Sequence, residues 1–319
     1  MTQKVLVTGI SGFAGSHLAE CILSSSSYTL SGTYLSEKSL LNLGNHREKI
    51  SLHQADLTDK KVTTDVISFT KPDLIFHLAA LTAPGESFKH PSETITTNVS
   101  MQVNVLEAAR EHVPSARILI ISSADAYGMV DPSDLPIDEE TPFKPGNPYS
   151  VSKIVQDYLG LEYQLAYNMQ IIRVRPFNHI GPRQESKFVI SAFAKQIAEI
   201  EKGKKEPVLL VGNLEAKRDF TDVRDIVRAY GMIMEKSNSG EVYNIGSGIS
   251  HTISDMLDKL LSLSTASIDV KIDQSLLRPG DTPELRCDYS KLQSAIGWRP
   301  QIPLDKTLKD TLDYWRSIV

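Results

Sequence analysis

Tyr149 and Lys153 stand four residues apart in the run Pro148-Tyr149-Ser150-Val151-Ser152-Lys153, just after the helix-starting stretch Pro145-Gly146-Asn147. On a helix that spacing places both side chains on one face, with Cβ atoms about 5–6 Å apart. A phenol ordinarily ionises near pH 10. A neighbouring ammonium favours the phenolate and lowers that value, which suits a tyrosine to give or take a proton at neutral pH. The same spacing occurs on solvated helix faces, so its meaning depends on what converges with it. One converging group is Ser122-Ser123-Ala124-Asp125-Ala126-Tyr127-Gly128. A hydroxyl at the end of a strand there can bond a substrate oxygen that Tyr149 also reaches, and Ser122 and Ser123 compete for that role.

The second converging group is Gly9-x-x-Gly12-x-x-Gly15, between a strand-like run ending at Thr8 and a helical stretch. Glycines at such a turn let the backbone approach a pyrophosphate, and the helix N-terminus, here Phe13 and Ala14, meets its charge. The spacing is GxxGxxG rather than the strict dinucleotide spelling GxGxxG, but its strand–turn–helix context is that of a dinucleotide site. The residue that chooses between NAD and NADP is expected about 20 positions on. Gly32-Thr33-Tyr34-Leu35-Ser36-Glu37-Lys38 has no acid directly after the strand. Lys38 and Ser36 are of the type that meets a 2′-phosphate, so NADP is favoured over NAD, although Lys38 also reads as an ordinary loop lysine. Asp56-Leu57 closes the third strand, where the acid either bonds an adenine amino group or caps a turn. Leu78-Ala79-Ala80 closes the fourth, where small residues admit the nicotinamide-side ribose. His77 reads as a satisfied buried histidine.

These groups sit on an alternating pattern. Strand-like runs at 5–8, 29–34, 51–55, 74–78, 117–122 and 170–175 are separated by helical stretches at 16–24, 61–70, 94–112 and 149–167. Such βαβ repetition predicts an α/β fold, a Rossmann-type doubly wound parallel sheet with helices on both faces. After Arg175 the pattern changes to a turn-rich loop, Pro176 to Arg183. A helix at 189–202, a strand near 208–210, the motif Arg218-Asp219-Phe220-Thr221-Asp222-Val223-Arg224-Asp225 and a return strand at 242–246 follow. The last stretch carries a helix (253–263), a strand (267–272), the loop Leu277-Arg278-Pro279-Gly280-Asp281 and closing helices. The expected division is a dinucleotide-binding domain over 1–176, with roughly 219–246 returning to it, and a smaller C-terminal α/β substrate domain over 177–218 and 247–319.

Composition narrows the partners. The 319 residues are 41% hydrophobic and 23% charged with a formal net charge of −5, an ordinary globular balance. No basic cluster stands out, which argues against nucleic acid or a membrane surface. No apolar run approaches the roughly 18 residues of a transmembrane helix, and the N-terminus runs straight into a strand rather than a secretory signal. Cys21 and Cys287 have no metal-like spacing and read as free thiols in a reducing, cytoplasmic compartment; no metal is expected.

Taken together, GxxGxxG, Ser-Ser-x-x-x-Tyr-Gly and YxxxK resemble the extended short-chain dehydrogenase/reductases that modify nucleotide sugars, over essentially the whole chain. Pro176-Phe177-Asn178-His179-Ile180-Gly181-Pro182, Arg218 to Asp225 and Leu277-Arg278-Pro279 are most similar to the branch that handles GDP-mannose and its 4-keto-6-deoxy products. The resemblance implies that Tyr149 is the acid/base, Lys153 its activator and a cofactor-ribose ligand, and Ser123 the hydroxyl on the sugar C4 oxygen. It also implies that Asn98 supports the proton network, that Asn178 contacts substrate, that Arg218 and Arg278 hold the nucleotide diphosphate, and that Asp281 binds the nucleotide ribose. Arginine suits diphosphate because its fork pairs two oxygens at once. Helices 98–112 and 149–167 are those that pair across a homodimer in this family.

One departure bears on the reaction. The branch's dehydratases carry Thr-Asp-Glu or Thr-Ser-Glu where this chain has Ser123-Ala124-Asp125. A 4,6-dehydratase must remove a C5 proton and protonate the leaving C6 hydroxyl, which needs further acid/base groups. Ala124 supplies none, and Asp125 is one methylene shorter than Glu. Reduction of a C4 ketone needs only a hydride and one proton. The expected reaction is NAD(P)H-dependent reduction of a GDP-linked 4-keto-6-deoxyhexose. A sugar-nucleotide 4-epimerase, a 4,6-dehydratase and a non-catalytic dinucleotide-binding regulator are the alternatives.

Overall fold

A computed structural model describes residues 2–277 and 282–319. Arg278 and Asp281, two of the expected substrate ligands, lie outside the described residues. The chain opens with β1 (Gln3–Thr8), α1 (Phe13–Leu23), β2 (Tyr28–Tyr34), β3 (Ser51–Gln54), α2 (Lys60–Thr70) and β4 (Leu74–His77). A short turn of helix α3 (Pro84–Ser87), α4 (Pro91–His112), β5 (Arg117–Ile121), α5 (Pro148–Tyr167) and β6 (Gln170–Pro176) follow. Then come β7 (Asn178–Ile180), α6 (Val189–Glu201), β8 (Val208–Val211), β9 (Lys217–Asp222), α7 (Val223–Lys236) and β10 (Val242–Ile245). The chain closes with β11 (Ser250–Thr252), α8 (Ile253–Ser262), β12 (Asp269–Ile272), β13 (Glu284–Leu285), α9 (Ser290–Ile296) and α10 (Leu304–Ile318).

Seven strands form one parallel sheet in the order β10-β6-β5-β4-β1-β2-β3. Strand order reverses between β1 and β4, and in such sheets the crevice at the carboxyl ends of the switching strands receives the ligand. Both faces are covered. Leu18, Ile22, Ile226, Tyr230 and Ile233 of α1 and α7 pack with Val5, Val7, Phe76 and Leu119 on one face. Val66, Val105, Leu106 and Tyr163 of α2, α4 and α5 pack with Leu6, Ile75, Ile118 and Ile120 on the other. Burial on both faces explains why these strands are continuous apolar runs rather than alternating ones. A second core gathers α6, α8 and α10 around β8 and β9. There β9 pairs with β7, β11 and β13, while β12 pairs with β8.

Several elements differ from the sequence-based expectation; β7, for one, is a short strand inside the expected loop Pro176 to Arg183. α7, of 14 residues, falls where only the Arg218–Asp225 motif and a return strand are expected. Its signals are nonetheless present: Asp222 caps it by accepting from the Arg224 amide, and Val223, Ile226, Val227, Tyr230, Ile233 and Met234 are buried at helical spacing. The segment after β2, read as a plain loop, is a run of 3₁₀ turns over Glu37–Lys49 broken at Gly44.

Candidate active site

The turn between β1 and α1 is shaped by contacts that exclude side chains. Gly9 has a φ of +67°, and a Cβ there would sit 3.0 Å from Ala79 Cα at the end of β4. A Cβ on Gly15 would lie 2.3 Å from the Gly9 carbonyl oxygen. Gly12 is the N-cap of α1, offers no side-chain acceptor, and no acid stands in the first turn. The amides of Phe13 and Ala14 therefore begin an uncapped helix at the mouth of the crevice, a ready anion site. That is the fit a dinucleotide pyrophosphate requires.

The segment after β2 leans over this turn. Ser39 Oγ bonds Ser11 Oγ at 2.7 Å, and Asn42 Nδ2 donates to the Ser11 carbonyl at 2.9 Å. Glu37 is turned away into contacts with the Tyr34 hydroxyl (2.8 Å) and Arg47 (3.5 Å). Lys38 and Ser36 are exposed beside them. Asp56 accepts from the Thr58 amide and hydroxyl at 2.9 and 2.7 Å, which is the turn-capping role. Leu57 is buried behind it. Leu78, Ala79 and Ala80, half-buried, line the end of β4.

Ser122 and Ser123 separate cleanly. Successive residues of an extended chain point to opposite sides. Ser122 is buried and donates to the Lys153 carbonyl at 3.0 Å, a structural bond. The Ser123 hydroxyl instead accepts from the Asp125 amide at 3.2 Å and is near enough to Tyr149 to favour its phenolate. The Asp125 charge opposes ionisation of Tyr149. Ala124 is buried with Tyr127, Ile137 and Phe177. Asn147 caps α5 by accepting from the Ser150 amide at 2.8 Å, which sets the start of the helix that carries Tyr149 and Lys153.

The electrostatics of this pair differ from the expectation. The Tyr149 phenol ionises well above its ordinary range, because burial and then the Asp125 carboxylate oppose the phenolate more than the Ser123 hydrogen bond favours it. Lys153 is not the dominant influence. Its ammonium lies 6.0 Å from the centroid of the Tyr149 ring and donates to the Ile121 carbonyl (2.6 Å) and to Gln156 Oε1 (2.8 Å). Burial lowers Lys153 to about 7, with Asp157 opposing the change. The phenol is therefore held in its protonated form.

Asn98 is fully buried and ties three elements together. Its Oδ1 accepts from the Leu81 amide at 2.7 Å, and its Nδ2 donates to the Leu81 carbonyl (3.1 Å) and Ser152 Oγ (2.9 Å). Its own carbonyl accepts from Gln156 Nε2 at 3.1 Å, which orients the Gln156 oxygen toward Lys153. Gln156 is a site residue that the sequence reasoning missed; its spacing, one further turn along the Tyr149–Lys153 face, was the available signal.

On the other side of the crevice, Asn178 stands on β7 beside Phe220 of β9. Its loop is fastened to α1 by Arg183, another residue the sequence reasoning missed. The Arg183 guanidinium donates to both Glu20 oxygens at 2.7 and 2.8 Å and to the Asn42 carbonyl at 2.9 Å. Burial alone would raise the Glu20 carboxyl, yet bonds from His17 and Arg183 hold it at about 2. Arg218 is half-buried on β9 and donates to the Thr282 carbonyl at 2.7 Å, so it braces the chain just beyond residues 278–281. Among the described residues no three metal-ligating side chains cluster, and no helix is long and apolar enough to cross a membrane.

Residues 6–311 match the family described as GDP-mannose 4,6 dehydratase. The chain belongs to that family. A GDP-6-deoxy-D-mannose reductase of Pseudomonas aeruginosa is 33% identical over 100% of this chain and 99% of its own length. GDP-mannose 4,6 dehydratase 2 of Arabidopsis thaliana is 30% identical over 97% of this chain and 85% of its own. Among solved structures, RMD from Pseudomonas aeruginosa complexed with NADPH has a TM-score of 0.86 at 32% identity, with 100% of both chains covered. A Thermus thermophilus UDP-glucose 4-epimerase in complex with NAD has a TM-score of 0.87 at 25% identity, covering 99% of this chain and 100% of that one. These two solved structures share with the present chain a mostly parallel Rossmann-type sheet.

Proposed function

We propose that this chain is an NAD(P)H-dependent oxidoreductase that reduces the C4 ketone of GDP-4-keto-6-deoxy-D-mannose, giving GDP-D-rhamnose. The observation that carries the reading is the buried Tyr149, with Lys153 one turn on along its helix and the Ser123 hydroxyl and the buried Ala124 at the end of β5. A reduction consumes one proton at the carbonyl oxygen. Tyr149, kept protonated by burial and the Asp125 charge, holds that proton in place at neutral pH. Ser123 stabilises the developing alkoxide, and donors fixed where charge develops are a main source of acceleration. Bound NADPH supplies the hydride. Phe13 and Ala14 receive its pyrophosphate, Asp56, Leu57, Leu78, Ala79 and Ala80 its nucleosides, and Lys38 with Ser36 a 2′-phosphate. Lys153, braced by Gln156 and through it by Asn98, presents its ammonium to the ribose side. Asn178 and Arg218 hold the sugar nucleotide, and Asp125 approaches the sugar.

The trimmed Ser-Ala-Asp set favours reductase over 4,6-dehydratase. The absence of an acid directly after β2 favours a reductant that is exchanged each turnover over the retained cofactor of a 4-epimerase. We further propose the division of the chain at 1–176 plus 219–246 against 177–218 plus 247–319, with the crevice between. A cytoplasmic homodimer completes the reading. It is supported by an exposed apolar stripe on α5, Val151, Tyr158 and Leu165 at seven-residue spacing, the pattern of a helix that packs against another.

The test is direct. Purified protein with GDP-4-keto-6-deoxy-D-mannose should oxidise NADPH one-for-one with product. Conversion of GDP-mannose or of UDP-glucose without added reductant would instead reveal a dehydratase or an epimerase.

A further inference from the structure

Beneath Lys153 lies a polar group that no contact within the protein satisfies. Leu6 and Ile75 face α4 and α5, so Thr8 and His77, two residues further along β1 and β4, point to the same side. They are register partners, and His77 pairs on its other side with Ile120 of β5, next to the Ile121 carbonyl that receives Lys153. His77 is 2% exposed. Its Nδ1 lies 2.9 Å from Thr8 Oγ1, and its Nε2 is buried without a partner.

Counting hydrogen bonds fixes the tautomer. A threonine hydroxyl has one proton and two lone pairs. Thr8 Oγ1 accepts from the Leu78 and Ala79 amides, both at 3.1 Å, which uses both lone pairs. Its proton must then go to His77 Nδ1, so the ring proton is on Nε2. That leaves a buried N–H donor near the Lys153 ammonium, whose charge bears on His77. Lys153 commits two of its three protons to Ile121 and Gln156. While Lys153 is an ammonium, the two donors cannot satisfy each other, and a buried unpaired donor is costly. An oxygen acceptor placed between them satisfies both.

We propose that His77 is a positioning residue for Lys153: its Nε2–H holds a buried water whose oxygen also accepts from the Lys153 ammonium. The arrangement fixes the third N–H direction of Lys153 and offsets part of the cost of burying its charge. It rests on the proposed role of Lys153 as the residue that meets the cofactor ribose. The titratable groups facing Lys153 are Tyr149 and Asp157 on its own helix and His77 on β4; α4 contributes only the neutral Asn98 and Gln102.

The test separates the two ends of the ring. An asparagine amide reproduces Nδ1 and keeps the Thr8 bond, whereas a glutamine amide reaches the Nε2 position. In the wild-type chain, ¹⁵N NMR should show the Nε2–H tautomer of His77, neutral from pH 5 to 9, and high-resolution crystals should show a water between His77 and Lys153. His77→Asn and His77→Leu should lower kcat about tenfold with both KM values little changed. In both, the alkaline limb of the kcat profile and the Lys153 titration followed at ¹³Cε should move down by about one pH unit, since the ammonium loses an acceptor. His77→Gln should restore both. An Nδ1–H tautomer, titration of His77 near its ordinary pKa, no density between the two groups, or rescue by Asn rather than Gln would overturn the proposal. The NMR and density readings hold for the wild-type chain even where a variant does not fold, and they stand or fall independently of which sugar nucleotide is turned over.

Discussion

The two walls of the crevice are built on opposite principles. On the α5 side Tyr149, Lys153, Asn98 and Gln156 are buried, and the last three are fixed by short side-chain and carbonyl bonds. On the β7–β9 side Asn178 and Arg218 are half-exposed and stand on short strands, and Arg218 donates to the Thr282 carbonyl at 2.7 Å. Fixed donors in a low-dielectric wall suit charge that appears for an instant in a transition state. A more open wall with arginine suits a diphosphate that must enter and leave. The contrast implies that the first wall controls turnover and the second controls affinity.

The largest effect expected of breaking this contrast is on the first wall. Tyr149→Phe should lower kcat by about 10²–10⁴ with thermal stability and NADPH binding retained; a folded variant with near-normal turnover would remove the phenol from the mechanism. Next comes the burial of Lys153. Folding lowers its pKa from the ordinary 10.5 to about 7. Between those values the folded chain binds fewer protons than the unfolded chain, so this group makes stability rise with pH across that window. Relative to Lys153→Met, the wild-type chain should gain about 4 kcal/mol from pH 7 to pH 10.5 in chemical denaturation. A stability difference that stays flat across the window would mean that the lysine is solvated.

On the second wall, Arg218→Ala should raise KM for the sugar nucleotide about 10–100-fold, with kcat and KM for NADPH within a few-fold of wild type. A fall in kcat instead would erase the distinction between the walls. The smallest effect belongs to the exposed loop after β2. Lys38→Ala should weaken NADPH binding about threefold at low ionic strength and less in 1 M salt, with NADH unaffected, as titration of cofactor fluorescence would report. Equal loss of both cofactors would move 2′-phosphate recognition elsewhere, with Arg47 the neighbouring candidate.

Much of the first wall was legible because its signals are local. Tyr149 and Lys153 share a helix face by spacing alone, Gly9, Gly12 and Gly15 mark a turn that tolerates no Cβ at its tightest points, and the βα alternation announces the parallel sheet. The electrostatics were not legible. Spacing suggested that Lys153 lowers the Tyr149 pKa, but burial and Asp125 act on the phenol while the ammonium is occupied by Ile121 and Gln156. Nor did the pattern reveal Arg183, whose partner Glu20 lies 163 positions away.

The amino-acid order by itself determined the alternating strands and helices of the first half, the glycine turn and the phenol–lysine pair, because each depends on neighbours within a few residues and on backbone sterics. Which serine meets the phenol, where the lysine's protons go and what His77 lacks were decided only when β1, β4, β5 and α5 packed together. Hydrogen-bond partners and desolvation are properties of the assembled interior, and no single stretch of the chain contains them.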